Sequence, residues 1–162
     1  MEILDDDEAK SYGGDMGVPK EDGMIRISTY NPNGIKEGQL KLQLQAAIDL
    51  QVDIQCYSKV NCDTNKGYIN QRFIEETKQM DKSAKSVWKS SKVPAVNEYK
   101  PGGTGIVTMG KTASSVIHQG GDDLGRWTYT VMEGEADMVV LVISIFQCCK
   151  NLTNKVGNTA FH

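Results

Sequence analysis

The side chains best able to do chemistry lie just after two short predicted strands. Asn31 and Asn33 belong to the sequence Asn-Pro-Asn-Gly, a dense turn signal that ends an alternating strand. Lys59 follows a second alternating strand, and Asp63 lies further along the same predicted loop. Amides and an ammonium group at strand ends can hold a phosphate through hydrogen bonds and charge. A tight turn followed by a solvated loop would explain the same residues without any chemistry.

The cysteines and histidines form no recognisable site. Cys56 and Cys62 are separated by five residues and Cys148 and Cys149 are adjacent, so neither pair has the CxxC spacing of a zinc site. Reduced thiols without a special role are the simplest interpretation. His118 falls in a β-rich stretch and is most simply a strand-surface residue. No Ser/His/Asp triad can be assembled, and no glycine-rich loop ends in Gly-Lys-Ser/Thr.

Hydrophobic periodicity predicts the elements that must position these side chains. The pattern gives strand, helix, strand, helix and then strands only. The predicted helices are 37–51 and 68–82. The predicted strands are 24–30, 52–57, 86–89, 104–109, 113–118, 127–132 and 138–146, with 104–109 and 113–118 forming a hairpin across Gly110-Lys111.

This element order indicates an α/β layered domain with a mixed sheet flanked by helices. The last strand, Met138–Phe146, is apolar almost without interruption. Such a run is typical of a strand covered on both faces. The strands suffice for only one sheet, so we expect an apolar sheet face to remain exposed and to drive self-association.

Charge divides the chain into two parts. Residues 1–23 contain eight acidic residues and two lysines, a balance of −6, and have no apolar stripe. We expect a disordered acidic tail over 1–23 and a folded part over 24–162. The folded part carries 13 acidic and 16 basic residues, which is compatible with a phosphate-bearing ligand. The sequence has neither a signal-peptide pattern nor an apolar run near the ~20 residues of a membrane helix, which predicts an intracellular protein, cytoplasmic or nuclear, that makes no contact with a membrane.

Four segments together resemble the endonuclease/exonuclease/phosphatase superfamily, in particular the endonuclease-like domains of retroelements. Ile25–Gly34 resembles the opening strand with its Asn-x-Asn-Gly turn, and Asp53–Asp63 resembles the second strand. Pro101–Thr108 and Met138–Gln147 resemble the paired central strands. The resemblance covers about residues 24–150 and corresponds to the N-terminal half of the domain. It implies half of a four-layer α/β sandwich, which is incomplete as it stands.

The resemblance also implies an activity, Mg²⁺-dependent hydrolysis of phosphodiesters in nucleic acid. In such chemistry a carboxylate-held cation polarises the phosphate and a carboxylate with a histidine activates water. Asn31 matches the first-turn asparagine and is the one catalytic candidate. Asn33 and Lys59 are candidates for phosphate binding, and no metal ligand can be assigned.

Two departures from the family pattern argue against catalysis by this chain. Lys59 stands where the family has its metal-binding glutamate, and Phe146 stands near a family tyrosine that contacts phosphate. Asp63 could be proposed as a substitute ligand, although a loop aspartate is more often simply solvated. The family's Asp-x-Asn pair and terminal Ser-Asp-His have no counterpart, because neither His118 nor His162 stands in an Asp-His context.

Three functional hypotheses therefore remain open. The chain is a diverged, truncated phosphodiesterase relic without independent catalysis, a binding module for nucleic acid or protein, or half of a split enzyme completed by another chain. The binding hypothesis rests on a mildly basic surface formed by Lys36, Lys41, Lys59, Arg72 and Lys78.

Overall fold

The computed structural model describes residues 19–94 and 99–146. Two α-helices lie in the first half of this part of the chain, α1 (Gln39–Asp49) and α2 (Gly67–Met80). The strands are β1 (Ile27–Tyr30), β2 (Ile54–Ser58), β3 (Lys85–Lys89), β4 (Thr104–Thr108), β5 (Val116–Gly121), β6 (Trp127–Glu133) and β7 (Val139–Ile145). Each predicted element is present, with its bounds shifted by one to three residues at most of its ends. Residues 1–18 of the predicted tail lie outside the described residues. The same is true of Cys148, Cys149 and His162.

The larger sheet has the strand order β1-β2-β4-β3 and is mixed, as expected. β1 and β2 are parallel, with Ile27 opposite Ile54 and Tyr30 opposite Tyr57, whereas β4 runs antiparallel to both of its neighbours. A parallel pair needs a crossover connection, which α1 provides. Leu40 and Leu44 of α1 are completely buried against this sheet.

An aromatic cluster forms the centre of the core between the helices and the larger sheet. The ring centroid of Trp88 lies 5.1 Å from that of Tyr57 and 4.8 Å from that of Phe73 on α2. Gly105 makes this possible, because a Cβ at position 105 would lie 2.1 Å from the Trp88 indole. The glycine in β4 therefore determines where the central ring of the core lies.

The smaller sheet, β5-β6-β7, packs on the opposite face of the larger one. Between the sheets lies a compact apolar cluster that includes Ile54, Ile106 and Met132. The protein is thus a partial α/β sandwich, with helices, a mixed sheet and a second sheet in successive layers. The prediction of an α/β sandwich is confirmed at this level.

The predicted hairpin across Gly110-Lys111 is wrong. β4 belongs to the larger sheet and β5 to the smaller one, and the 3-10 helix Gly110–Ser115 carries the chain between them. Gly110 has a φ of +58°, and its N–H donates to Asp81 at 2.6 Å, which turns the chain away from β4. The expectation of a single sheet is wrong for the same reason, since β5 begins a second one.

The apolar strand β7 is nevertheless largely uncovered. Its odd-numbered residues Val139, Leu141, Ile143 and Ile145 are all exposed, whereas Ser144 is buried. The even-numbered face is directed towards the larger sheet, where the Ser144 hydroxyl donates to the Tyr57 carbonyl at 2.9 Å. The expectation of an exposed apolar sheet face is therefore confirmed for the outer side of β7 among the described residues.

Asp53 fastens the segment before β1 to the start of β2. Its carboxylate accepts hydrogen bonds from the Arg26 N–H at 2.7 Å and from the Lys20 ammonium at 2.6 Å. The Thr112 hydroxyl donates to the same carboxylate at 3.3 Å. Lys20 belongs to the predicted acidic tail, so part of that segment contacts the domain.

Within the described ranges, no helix is long and apolar enough to cross a bilayer.

We predict that Asp53→Ala lowers the free energy of unfolding by about 2 kcal/mol, because it leaves the half-buried Arg26 N–H and the Lys20 ammonium without their shared acceptor. Urea denaturation measures the change. Asp49→Ala is the control. Among the described residues, the Asp49 carboxylate accepts an exposed hydrogen bond from Gln45, so this substitution should change stability by less than about 0.5 kcal/mol. Equal effects of the two substitutions would contradict this role for Asp53.

Candidate functional site

The candidate site lies where three loops meet at one end of the larger sheet. The first loop follows β1 and the second follows β2, and because these strands are parallel their carboxyl ends meet at the same edge. The third loop, Pro101–Gly103, precedes the antiparallel β4 and so arrives at that end as well. The fold therefore brings Asn31, Asn33 and Lys59 to one place, as their positions after predicted strands suggested.

Backbone hydrogen bonds join the first loop to the second. The N–H of Gly34 donates to the carbonyl of Lys59, and that of Ile35 donates to the carbonyl of Val60, both at 3.0 Å. Asn33 and Gly34 have φ values of +50° and +111°. Glycine and asparagine tolerate this left-handed region best, which is the physical reason for the Asn-Gly pair in the turn.

The second loop is joined to the third in the same way. The N–H of Asn61 donates to the Gly102 carbonyl at 2.7 Å, and the N–H of Val60 donates to the Gly103 carbonyl at 3.2 Å. Gly102 and Gly103 have φ values of +86° and +85°, so both require glycine. The three loops therefore form one hydrogen-bonded unit.

Asn61 is the residue at the centre of the site that sequence reasoning missed. Its side chain is buried, its Oδ1 accepts from the Gly102 N–H at 2.9 Å, and its Nδ2 donates to Asn33 Oδ1 at 3.4 Å. Its φ of +53° is a conformation that asparagine tolerates better than most residues. An asparagine just after a strand was the only available signal.

The first-turn asparagine is exposed and engaged locally. Asn31 Oδ1 accepts a hydrogen bond from the Asn33 N–H at 3.2 Å, which closes an Asx turn. Asn31 thus stabilises the turn, and its carboxamide nitrogen is the group left to contact a ligand.

Lys59 lies between these loops in an unfavourable backbone conformation. Its φ is +57°, which costs a residue with a Cβ roughly 1 kcal/mol. The residue is half-buried, and no carboxylate of the described residues pairs with its ammonium group. A positive charge therefore stands at the end of β2 without compensation from this part of the chain.

Asp63 is buried and paired, so the expectation that it is solvated is wrong. Its Oδ1 lies 3.0 Å from the Lys100 ammonium, and both side chains are at most one-tenth exposed. The Asn65 amide donates to the same oxygen at 3.2 Å and to the Ser91 carbonyl at 2.8 Å. Burial alone would raise the pKa of Asp63, but the hydrogen bond and charge of Lys100, together with the Asn65 hydrogen bonds, hold it below its usual range.

Phe146 reaches the site from the second sheet. A Cβ added at Gly102 would lie 3.2 Å from Phe146 Cε1, so the ring packs over this glycine. His118, in contrast, is exposed on β5 and has its contact with Tyr129, whose hydroxyl lies 3.1 Å from His118 Nδ1. The interpretation of His118 as a strand-surface residue is confirmed.

Solved structures share this architecture at low sequence identity. An AP endonuclease LMAP from Leishmania major is 13% identical with a TM-score of 0.51, and the match covers 73% of this chain and 38% of that one. An endonuclease/exonuclease/phosphatase family protein from Leptotrichia buccalis is 14% identical with a TM-score of 0.50, covering 82% and 57%. The human Nocturnin catalytic domain with bound sulfate is 13% identical, with a TM-score of 0.43 and coverage of 74% and 48%.

The chain thus shares its fold with an AP endonuclease and with an endonuclease/exonuclease/phosphatase family protein. Neither a family model nor a curated protein matches the sequence. The chain spans between 38% and 57% of the length of these structures, so the likeness concerns part of the domain.

The donor groups of the three loops do not fit a hard divalent cation. Mg²⁺ is bound through carboxylates and water. The three loops offer the asparagine amides, backbone groups and the Lys59 ammonium, while the carboxylate of Asp63 is committed to Lys100. Among the described residues, no group of three His, Cys, Asp or Glu side chains could hold a metal ion.

We predict that Asp63→Asn lowers the free energy of unfolding by about 3 kcal/mol, because it leaves the buried Lys100 ammonium uncompensated. Since the pKa of Asp63 is lowered on folding, its contribution is complete above about pH 4 and is lost as the pH falls through the lower folded value. The wild-type protein should therefore lose more stability than the variant as the pH falls below about 4.

Denaturation at several pH values measures both effects. Asp123→Asn is the matched control, since Asp123 pairs with Lys92 in an ion pair of which both members are about two-thirds exposed. Such a pair contributes little to stability. A similar loss for the two variants at neutral pH would contradict a structural role for Asp63.

Proposed function

We propose that this chain is a diverged endonuclease/exonuclease/phosphatase-like protein, of the kind carried by retroelements, that is truncated and does not hydrolyse phosphodiesters by itself. The observation that carries the proposal is Lys59 at the end of β2, whose ammonium group pairs with no carboxylate of the described residues. The resemblance places a metal-binding glutamate at this position. We also propose a cytoplasmic or nuclear location for the protein.

Electrostatics decides against a cation at this position. Two unit charges about 4 Å apart interact by roughly 4 kcal/mol at an effective dielectric constant of about 20. A carboxylate would attract a dication with about twice that energy, and an ammonium group repels it by a similar amount. Since about 1.4 kcal/mol corresponds to a tenfold change in affinity, the exchange of Glu for Lys removes magnesium binding in this geometry.

An alternative function is the binding of phosphate or nucleic acid without catalysis. The Lys59 ammonium and the Asn31 carboxamide nitrogen both lie at the loop cluster and can contact an anion. The broader basic surface is weaker than its sequence suggested. Arg72 lies 3.7 Å from the Glu76 carboxylate, and the Lys78 ammonium donates to the Lys82 carbonyl. The pairing of Arg72 with Glu76 lowers the net positive charge of this surface, which favours the non-catalytic relic over the binding module.

The split-enzyme hypothesis requires another chain to bring carboxylates to the loop cluster. Asn31 and Lys59 are accessible enough to meet such a chain. The hypothesis still has to overcome the charge of Lys59, which remains close to any cation placed beside Asn31.

We predict that the purified chain does not nick supercoiled plasmid or abasic-site DNA with Mg²⁺ or Mn²⁺. Lys59→Glu should not create activity, because one carboxylate cannot hold a cation that needs about six oxygen ligands. A nicking assay with both proteins measures this. Cleavage by the wild-type chain above the level of Lys59→Ala would show that the proposal is wrong.

We predict that any binding to single-stranded DNA is weak and depends on Lys59. If the loop cluster binds phosphate, Lys59→Glu should abolish the gel shift at low salt, whereas Lys78→Glu, on the exposed end of α2, should leave it nearly unchanged. Tight binding that survives Lys59→Glu would favour a binding module with a different surface.

A further inference from the structure

Most of the exposed apolar side chains lie on one side of the sandwich. They belong to β1 and the residues before it, to α1 and to β7. These residues are Met24, Ile25, Ile27, Tyr30, Leu42, Met138, Val139, Val140, Leu141, Ile143 and Ile145. Scattered apolar residues are ordinary on a protein surface, but a contiguous group marks an interface.

On this side the edge of the larger sheet extends beyond the edge of the smaller one, and we call the resulting offset the step. β7 lies beneath β2 and β4, and β5 and β6 lie beneath β3 and β4, so the β1 edge of the larger sheet extends beyond the smaller one. The side chains of β1 show the consequence. Ile27 pairs with the buried Ile54 and faces the inter-sheet layer, yet it is 51% exposed. Thr29, on the same face of β1, is exposed as well.

Both strands at the step are sheet edges. β1 ends the order β1-β2-β4-β3 and β7 ends the order β5-β6-β7, so each has one side without a partner strand in the described structure. A cleft of about 280 Å³ opens between them, lined by Thr29, Cys56 and Ser58 above and by Ile143 and Ile145 below. Neither strand contains a charged residue or a proline to block pairing with another strand.

A second opening lies on the helix side of β1. A groove of about 460 Å³ runs between β1 and α1, and its walls include Tyr30, Leu42, Ala46 and Leu50. Leu42 is 73% exposed here, although Leu40 and Leu44 of the same helix are completely buried. The step therefore has apolar surface on its upper, lower and lateral sides.

We propose that this stepped side, formed by β1, β7 and the exposed edge of α1, is the interface of a homodimer with its two-fold axis parallel to the strands, between the sheets. Rotation about that axis exchanges the upper and lower layers. β1 of the second copy then enters the space beneath β1 of the first and lies beside its β7. At the same time, β7 of the second copy lies beside β1 of the first.

The step is self-complementary under this rotation. Each four-stranded sheet continues into the three-stranded sheet of the other copy. The dimer as a whole therefore gains two strand pairings. The Ile27 side chains pack together in the middle of the interface. The outer face of β7, with Leu141 and Ile143, comes beside Tyr30 and Leu42 of the other copy.

The arrangement supplies the surface that a stable dimer needs. A stable interface buries about 800 Å² per partner, more than a single edge-to-edge strand pair contributes. The proposed dimer adds to one strand pair a second strand pair, the packing of β1 on β1 and the filling of the groove beside α1. A two-fold axis perpendicular to the sheets would instead pair β1 with β1, which leaves the recessed β7 uncovered, or pair β7 with β7, which pushes the overhanging β1 strands into each other. The step therefore selects one two-fold arrangement.

Light scattering coupled to gel filtration of the full chain tests the dimer. We expect a dimer at tens of micromolar and a dissociation constant raised at least about tenfold by Ile27→Lys. Ile27 is exposed in the single copy, so the variant should remain folded, with an unchanged circular dichroism spectrum. Ile117→Lys is the matched control. Ile117 is also an exposed strand isoleucine, but it belongs to β5, at the opposite edge of the smaller sheet, and should not affect dimerisation.

Hydrogen exchange of the wild-type chain provides a second measurement that needs no variant. Amides of β1 and β7 should gain protection as the protein concentration rises through the dissociation constant, whereas those of β5 should not. A protein that stays monomeric at all concentrations would overturn the proposal. This holds even if the amides of β1 are protected from exchange, because its own chain would then provide the protection. Dissociation by Ile117→Lys but not by Ile27→Lys would also overturn it, in favour of stacking through the outer face of the smaller sheet.

Discussion

The parallel pairing of β1 with β2 is the constraint on which the rest of the structure depends. It requires a crossover, which α1 supplies, and α1 in turn covers the larger sheet with Leu40 and Leu44. It also places the carboxyl ends of both strands side by side, so the loops carrying Asn33 and Lys59 meet and exchange backbone hydrogen bonds. The candidate site is thus a direct product of this one pairing, secured at the other end of the strands by Asp53.

The helices and strands could be predicted from sequence, because periodicity is a local property. Which strands pair with one another could not be predicted in this way. The alternation around Ile54 and the apolar stripe through Phe73 gave β2 and α2. The glycine at 110 correctly marked a turn, but a turn signal does not say whether the next strand returns to the same sheet. The same limit explains Asp63, which looked solvated because its partner Lys100 lies 37 residues away in sequence. Asn61 was missed since its importance arises from Gly102, on another loop.

The framework of the site does not depend on the chemistry of position 59. Glycines at 34, 102 and 103 and asparagines at 33 and 61 maintain the backbone geometry of three interlocked loops. Their hydrogen bonds depend on shape and not on a bound cation, so the loops stay organised with a lysine at position 59. In the diverged protein proposed above, this separation between the requirements of folding and those of catalysis explains how the fold persists with a lysine at position 59.

The segment between Ser91 and Lys100 is held at both of its ends, and this has a practical consequence. Ser91 bridges to Leu124 and the Lys92 N–H donates to Asp123 at 2.8 Å, while Tyr99 bridges to Cys62 and Lys100 is fixed by Asp63. Because doubling the length of a loop costs only about 0.6 kcal/mol, foreign sequence can be inserted after Val93 at little cost to the fold. The position is therefore a suitable place for an affinity tag or a fluorescent reporter in this protein.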